Sequence, residues 1–148
     1  FAYLSGTDDN SQNSNVDNGK VISTGDGRWE LNLNGQTLYF SYSPEEVKDI
    51  SVETTFSLES YYNSPLLIAS DNEGITYELT STLGRYASGV QEVCYGKCDK
   101  NLPEKDCSEN LIVFNITNEN KVYQDDKCIF IDGDLRAVDS FLYKIFGV

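Results

Sequence analysis

Four cysteines constrain this chain most: Cys94, Cys98, Cys107 and Cys128, spaced C-x3-C-x8-C-x20-C, with no other cysteine in the sequence. An even, clustered set in a small acidic protein reads as two disulfides, and disulfides persist in oxidising compartments. A structural zinc site is the competing reading. It wants two close Cys pairs or a mixture of Cys and His. Here only Cys94 and Cys98 are closely spaced, and the chain has no histidine. Four cysteines allow three connectivities, and the sequence does not choose among them. Loop geometry leans toward a nested pair, Cys98–Cys107 inside Cys94–Cys128, with each bridge contributing ~2–4 kcal/mol.

At 148 residues the chain is long enough for one domain with a genuine core. Its 24 acidic and 11 basic residues give a net charge of −13. Such a surface repels phosphate backbones, so nucleic acid is not an expected partner. The longest apolar runs are Pro65–Ala69 and Cys128–Ile131. Both are too short to cross a bilayer. A membrane is therefore expected only through an anchor upstream of Phe1, whose apolar start Phe1-Ala2-Tyr3-Leu4 reads either as the stub of such a segment or as a packed strand.

Residues 1–19 divide into that stub and a polar linker. Ser5–Gly19 is almost wholly Asp, Asn, Ser, Gln, Thr and Gly, too poor in apolar area to offset its ordering entropy. Its Asp and Asn residues lack the register of an EF-hand loop. Residues 20–148 form the single globular domain.

Alternation of Trp29, Leu31 and Leu33, the turn pair Asn34-Gly35, and then Leu38 and Phe40 predict a β-hairpin. Ser43-Pro44-Glu45-Glu46 predicts a capped helical turn through about Asp49. Val52, Thr54, Phe56 and Leu58 alternate as a strand, and Leu66–Ala69 reads as a strand covered on both faces. Ile75, Leu79, Leu83, Tyr86, Val90 and Val93 trace one face of a helix over about 74–93, a longer pattern than the alternation of Ile75, Tyr77 and Leu79 that would make a hairpin there. Leu111–Phe114 is a second apolar strand. Lys121–Tyr123 and Cys128–Ile131 flank Asp125-Asp126 as a hairpin. Leu135, Val138, Leu142, Ile145 and Phe146 mark a helix over 134–146, capped by Asp132 or Asp134 and ended by Gly147. The expected fold is α+β or α/β. It combines an N-terminal antiparallel hairpin with a β-α-β-β-α C-terminal part, stapled by two disulfides.

From Ser64 to Val148, several segments carry a resemblance: Pro65–Ala69, Val90–Gly96, Leu102–Cys107, Cys128–Leu135 and Phe141–Tyr143. The pattern resembles uncharacterised, membrane-anchored cell-surface proteins of small-genome archaea. The order of elements is also similar to modules of archaeal surface-layer proteins, whose Gly-rich loop is here Ser70-Asp71-Asn72-Glu73. The resemblance implies a fold and a location, and no catalytic residues.

Without histidine, the usual hydrolytic triads and zinc hydrolase motifs are excluded. Bridged cysteines leave no thiol nucleophile, and no phosphate-binding glycine loop is present. No catalytic residue is expected. Asp71, Glu73, Asp132 and Asp134 sit at predicted strand ends, the edge where open α/β sheets bind ligands. They are the candidate metal or ligand set, with calcium as the candidate cofactor and a helix cap and a turn as the alternative reading. Tyr39, Tyr42, Tyr61 and Tyr62 suggest an aromatic surface or ordinary strand packing. Asn115-Ile116-Thr117 is a glycosylation sequon at Asn115. The expected function is that of a non-enzymatic, extracytoplasmic structural or interaction domain of a cell-surface protein. Its partner would be another protein or a further copy of itself. The alternatives are a filament or surface-layer subunit, a calcium- or carbohydrate-binding module, and a carboxylate-based hydrolase.

Overall fold

The computed structural model describes residues 20–148. The N-terminal stub and linker lie outside the described residues. Three strands open the chain: β1 (Val21–Ser23), β2 (Trp29–Leu33) and β3 (Gln36–Phe40), forming a small antiparallel sheet in that order. The expected hairpin is present, with Leu33 opposite Gln36 and with Asn34 and Gly35 at φ 51° and 81°. The helical turn α1 (Pro44–Val47) follows with its capping box complete. The Ser43 hydroxyl accepts from the Glu46 amide, and the Glu46 carboxylate accepts from the Ser43 amide.

Strand β4 (Ser51–Glu53) is shorter than the alternation through Leu58 predicts. Burial does alternate from 51 to 61, but only three residues pair with a neighbour. Beyond Glu53 the side chain of Gln124 replaces the ladder. Its Oε1 accepts from the Thr55 amide at 2.9 Å and the Thr54 hydroxyl at 2.6 Å. The chain then forms a 3₁₀ turn, Leu58–Tyr61.

Next come β5 (Pro65–Ala69), α2 (Glu73–Ser81) and β6 (Gly89–Glu92). Here the sequence misleads. The helix expected over 74–93 stops at Thr82, whose hydroxyl donates to the Glu78 carbonyl at 2.7 Å and whose backbone leaves helical angles. Residues 89–92 form a strand parallel to β5 instead. A Cβ on Gly84 would lie 2.8 Å from Val90 Cγ2, so this glycine permits the returning strand to close over the helix end. Ile75, Leu79 and Leu83 of the stripe are buried, whereas Val90 is exposed at the outer strand.

After β7 (Cys94–Tyr95) and β8 (Glu104–Lys105), a short parallel pair, the chain enters β9 (Leu111–Ile116), β10 (Lys121–Asp125), β11 (Cys128–Gly133) and α3 (Leu135–Phe146). Asp134 caps α3 and Gly147 ends it, as expected. The six-stranded sheet has the order β4-β10-β11-β9-β5-β6. Strands β11, β9, β5 and β6 are mutually parallel, and β10 is antiparallel to β11. The fold is therefore α+β with an N-terminal antiparallel hairpin.

The sheet is covered on both faces, which is why β5, β9 and β11 read as continuous apolar runs. Leu66, Ile68, Ile112, Ile129 and Ile131 face the helices. Leu67, Ala69, Leu111, Val113, Cys128 and Phe130 form a second cluster with Val93 and Cys107. Helix α3 is buried on nearly all sides and lies between the large sheet and the small one. Phe40 of β3 packs against Tyr143 and Phe146 at 4.6 and 6.3 Å between ring centroids.

The two expected disulfides form, but not in the nested arrangement. The pairs are Cys94–Cys98 and Cys107–Cys128. Pairing of β7 with β8 returns the chain alongside itself, and the Cys107 carbonyl accepts from the Lys127 amide at 3.1 Å. That contact sets Cys107 beside Cys128, leaving Cys98 to close onto Cys94. The second bridge fastens the irregular segment 94–110 across the sheet's second face.

Candidate functional site

Strands β5, β9 and β11 run in register, with Leu67, Leu111 and Cys128 level, so their carboxyl ends share one edge. From β5 the chain passes through α2 to β6 on one side. From β9 it passes through β10 to β11 on the other. Ligand crevices in open α/β sheets form where connections diverge in this way. A hollow of about 190 Å³ lies there, lined by Ser70, Asp71, Tyr95, Cys98, Lys100 and Asn115 among others. Asp71 and Lys100 form an ion pair at its rim, both exposed. Glu73, in the first turn of α2, lines a neighbouring hollow of about 410 Å³ with Asp71, Tyr77 and Glu92.

Asp132 lies near the end of β11 and Asp134 caps α3 directly after it, beyond β9. Asp132 is level with Asn115. Asp134 accepts from the Arg136 amide at 2.9 Å and pairs with its guanidinium at 2.7 Å, which holds its carboxyl below the usual carboxylate range. The four carboxylates thus stand in two pairs on either side of β9. Among the described residues no group of three or more His, Cys, Asp or Glu is placed to hold a metal ion. Asn115 is exposed at the same edge. The four tyrosines do not share one surface. Tyr61 is 1% exposed and packs edge-on against Phe56, whereas Tyr39 and Tyr62 are exposed.

The structure also assembles a site the sequence did not reveal. Glu78 of α2 and Asp139 of α3 meet in the interior, 8% and 0% exposed. They converge on the bend after β3. Asp139 Oδ2 accepts from the Ser41 and Tyr42 amides at 3.0 and 2.9 Å. Glu78 Oε2 accepts from the Ser41 amide at 3.3 Å, and Oε1 accepts from the Ser41 hydroxyl at 3.1 Å. Burial above all, and then the hydrogen bond and charge of Glu78, push the Asp139 carboxyl up to about 10; the two amides act weakly the other way. Asp139 therefore keeps its proton at neutral pH. Oδ1, which has no hydrogen-bond partner among the described residues, is the oxygen left to carry it. Tyr143 donates to the Tyr42 carbonyl beside this pair, and burial raises its phenol well above the usual range.

Glu78 also floors a cleft of about 290 Å³ between α2 and the free edge of β3. Arg28, Tyr39, Tyr77 and Arg85 stand around it. Arg28 lies over the Tyr39 ring at 4.5 Å, and Arg85 Nη1 donates to the Thr37 carbonyl and Gln36 Oε1 at 3.2 and 3.3 Å. Nothing local marked Glu78 or Asp139. Each neighbours an apolar stripe and looks like a solvent-facing position. The available signal was the apolar circumference of α3, which leaves Asp139 no wet side.

Fold and site together define a small α+β domain, bridged across one sheet face and clamped internally by a carboxyl pair. No protein-family model, curated protein or solved structure matches the chain.

Proposed function

We propose that this chain is a non-enzymatic, extracytoplasmic interaction domain of a cell-surface or membrane-anchored protein. The observation that carries the reading is the bridged segment 94–110. On the second face of the sheet the apolar cluster meets Cys107 and Tyr95 of this segment, fastened through Cys107–Cys128, and no helix. Such a cover depends on oxidising surroundings, which fits a location outside the cytoplasm. Among the described residues no helix is long and apolar enough to cross a membrane. The buried carboxyl pair supports a non-catalytic role, because both groups are turned onto backbone amides of their own chain. The test is localisation of the full-length protein in its own cells. Surface biotinylation and protease shaving of intact cells should reach it, and its cysteines should resist alkylation without reductant. A protein that is protected in intact cells and alkylated at four cysteines would overturn the reading.

A second reading is favoured by the hollow at the divergence of β5 and β9. There a calcium- or carbohydrate-binding module would use Asp71 and Glu73 beside Tyr95, as open α/β sheets do at this edge. Calorimetry with calcium and a glycan panel separates the two. Heat that is lost on Asp71→Asn would favour the module.

A further inference from the structure

The cleft between β3 and α2 exposes main chain as well as side chains. In an antiparallel pair, alternate residues point both backbone groups at the partner strand and the others point both away. β3 is the outer strand of its sheet, and two contacts identify its outward set. The Thr37 carbonyl accepts from Arg85, and the Ser41 amide donates to Glu78 and Asp139. Tyr39 lies midway, so its N–H and C=O both face the cleft. No partner outside the hairpin reaches them among the described residues. An unpaired strand edge is a template for another extended segment.

The charge around this edge is exceptional for the molecule. The chain has three arginines and a net charge of −13, yet two of them line this one cleft: Arg28, which also pairs with Asp26 at 3.8 Å, and Arg85, which pairs with no carboxylate among the described residues. Arg85 uses only Nη1 on the protein, leaving Nε and Nη2 of its planar fork without a protein partner among the described residues. A guanidinium fork matches a carboxylate. Tyr39 and Tyr77 line the same cleft.

Resting on the interaction-domain reading, we propose that the cleft binds a short extended peptide segment carrying a free carboxylate. The peptide backbone would pair with Tyr39 over about three residues, at ~3.3 Å per residue along the strand. Its carboxylate would sit on Arg85.

The test uses the full chain and two pools of N-acetylated tripeptides, one with free C-terminal carboxylates and one amidated. Calorimetry reads affinity, and the Tyr39 backbone amide resonance reads location. The free-acid pool should bind and shift Tyr39, with the amidated pool at least tenfold weaker. Arg85→Met should weaken binding at least tenfold. Tyr39→Pro should abolish it while leaving the melting temperature nearly unchanged, since proline is tolerated where an edge-strand N–H faces outward. If that variant does not fold, Arg85→Met decides. Equal binding of the two pools, no shift at Tyr39, or shifts reproduced by sodium acetate alone would overturn the proposal. So would concentration-dependent self-association that protects Tyr39, which would assign the edge to a second copy of this chain. These outcomes are independent of surface exposure in cells, so the proposal can fail while the interaction-domain reading stands.

Discussion

Replacing Asp139 by Asn tests the interior directly. In the wild-type protein Asp139 is protonated when folded and, like any free carboxyl with a value near 4, ionised when unfolded above about pH 5. The folded state then binds one proton more than the unfolded state. Stability is therefore fully present below the unfolded value and is lost as pH rises toward the raised folded value, at most about 1.4 kcal/mol per pH unit. From pH 5 to 7 the loss amounts to at most about 2.7 kcal/mol. The window is unusually clean because the chain has no histidine, so no ordinary side chain titrates within it. The carboxyls held low by local partners, Asp26, Asp106 and Asp134, act with the opposite sign and only on the acid side. An Asn carboxamide keeps an oxygen for the Ser41 and Tyr42 amides but never titrates. Urea unfolding at fixed ionic strength should show wild-type stability falling from pH 5 to 7 and D139N nearly flat. Parallel slopes for the two proteins, or wild-type stability that rises over this range, would refute the protonated pair.

Three other outcomes follow from the geometry. Replacing Cys107 and Cys128 together by Ser should cost about 3 kcal/mol in the chain-entropy picture, against about 2 for Cys94 and Cys98, whose sequence separation is 4 where the other is 21; denaturant midpoints of the two double variants rank them. Gly133 sits at φ 124° with its Cβ position occupied by the Asn120 side chain, which also accepts from the Asp134 amide at 2.8 Å. Gly133→Ala should therefore destabilise by about 2 kcal/mol or more in thermal or urea unfolding. Expression in a glycosylating host should modify Asn115, exposed at the end of β9, and Asn115→Gln should abolish the mass shift without changing the melting temperature.

Local chemistry was legible wherever neighbours in sequence are neighbours in space. Asn34-Gly35 sets the β2–β3 register, Ser43 and Glu46 cap α1 reciprocally, and Asp134 and Gly147 bound α3. The apolar runs of β5, β9 and β11 announced a sheet covered on both sides. The even cysteine count announced two bridges. What misled was a periodicity that two structures can share. Ile75, Leu79 and Leu83 continue in step through Val90 and Val93, but the chain leaves the helix at Thr82, and pairing with β5 turns residues 89–92 into a strand.

Turns, caps and apolar rows can be read from the chain alone, because each depends on contacts within about four residues. Cysteine pairing is set by packing across the fold, since β7–β8 pairing and one hydrogen bond from Lys127 to Cys107 bring distant sulfurs together. The same packing alone decided that Glu78 and Asp139 meet at Ser41, across 37 and 98 residues of chain. Burial converts two unremarkable acidic residues into a proton-holding clamp, and burial is a property of the packed layers rather than of any local run of residues.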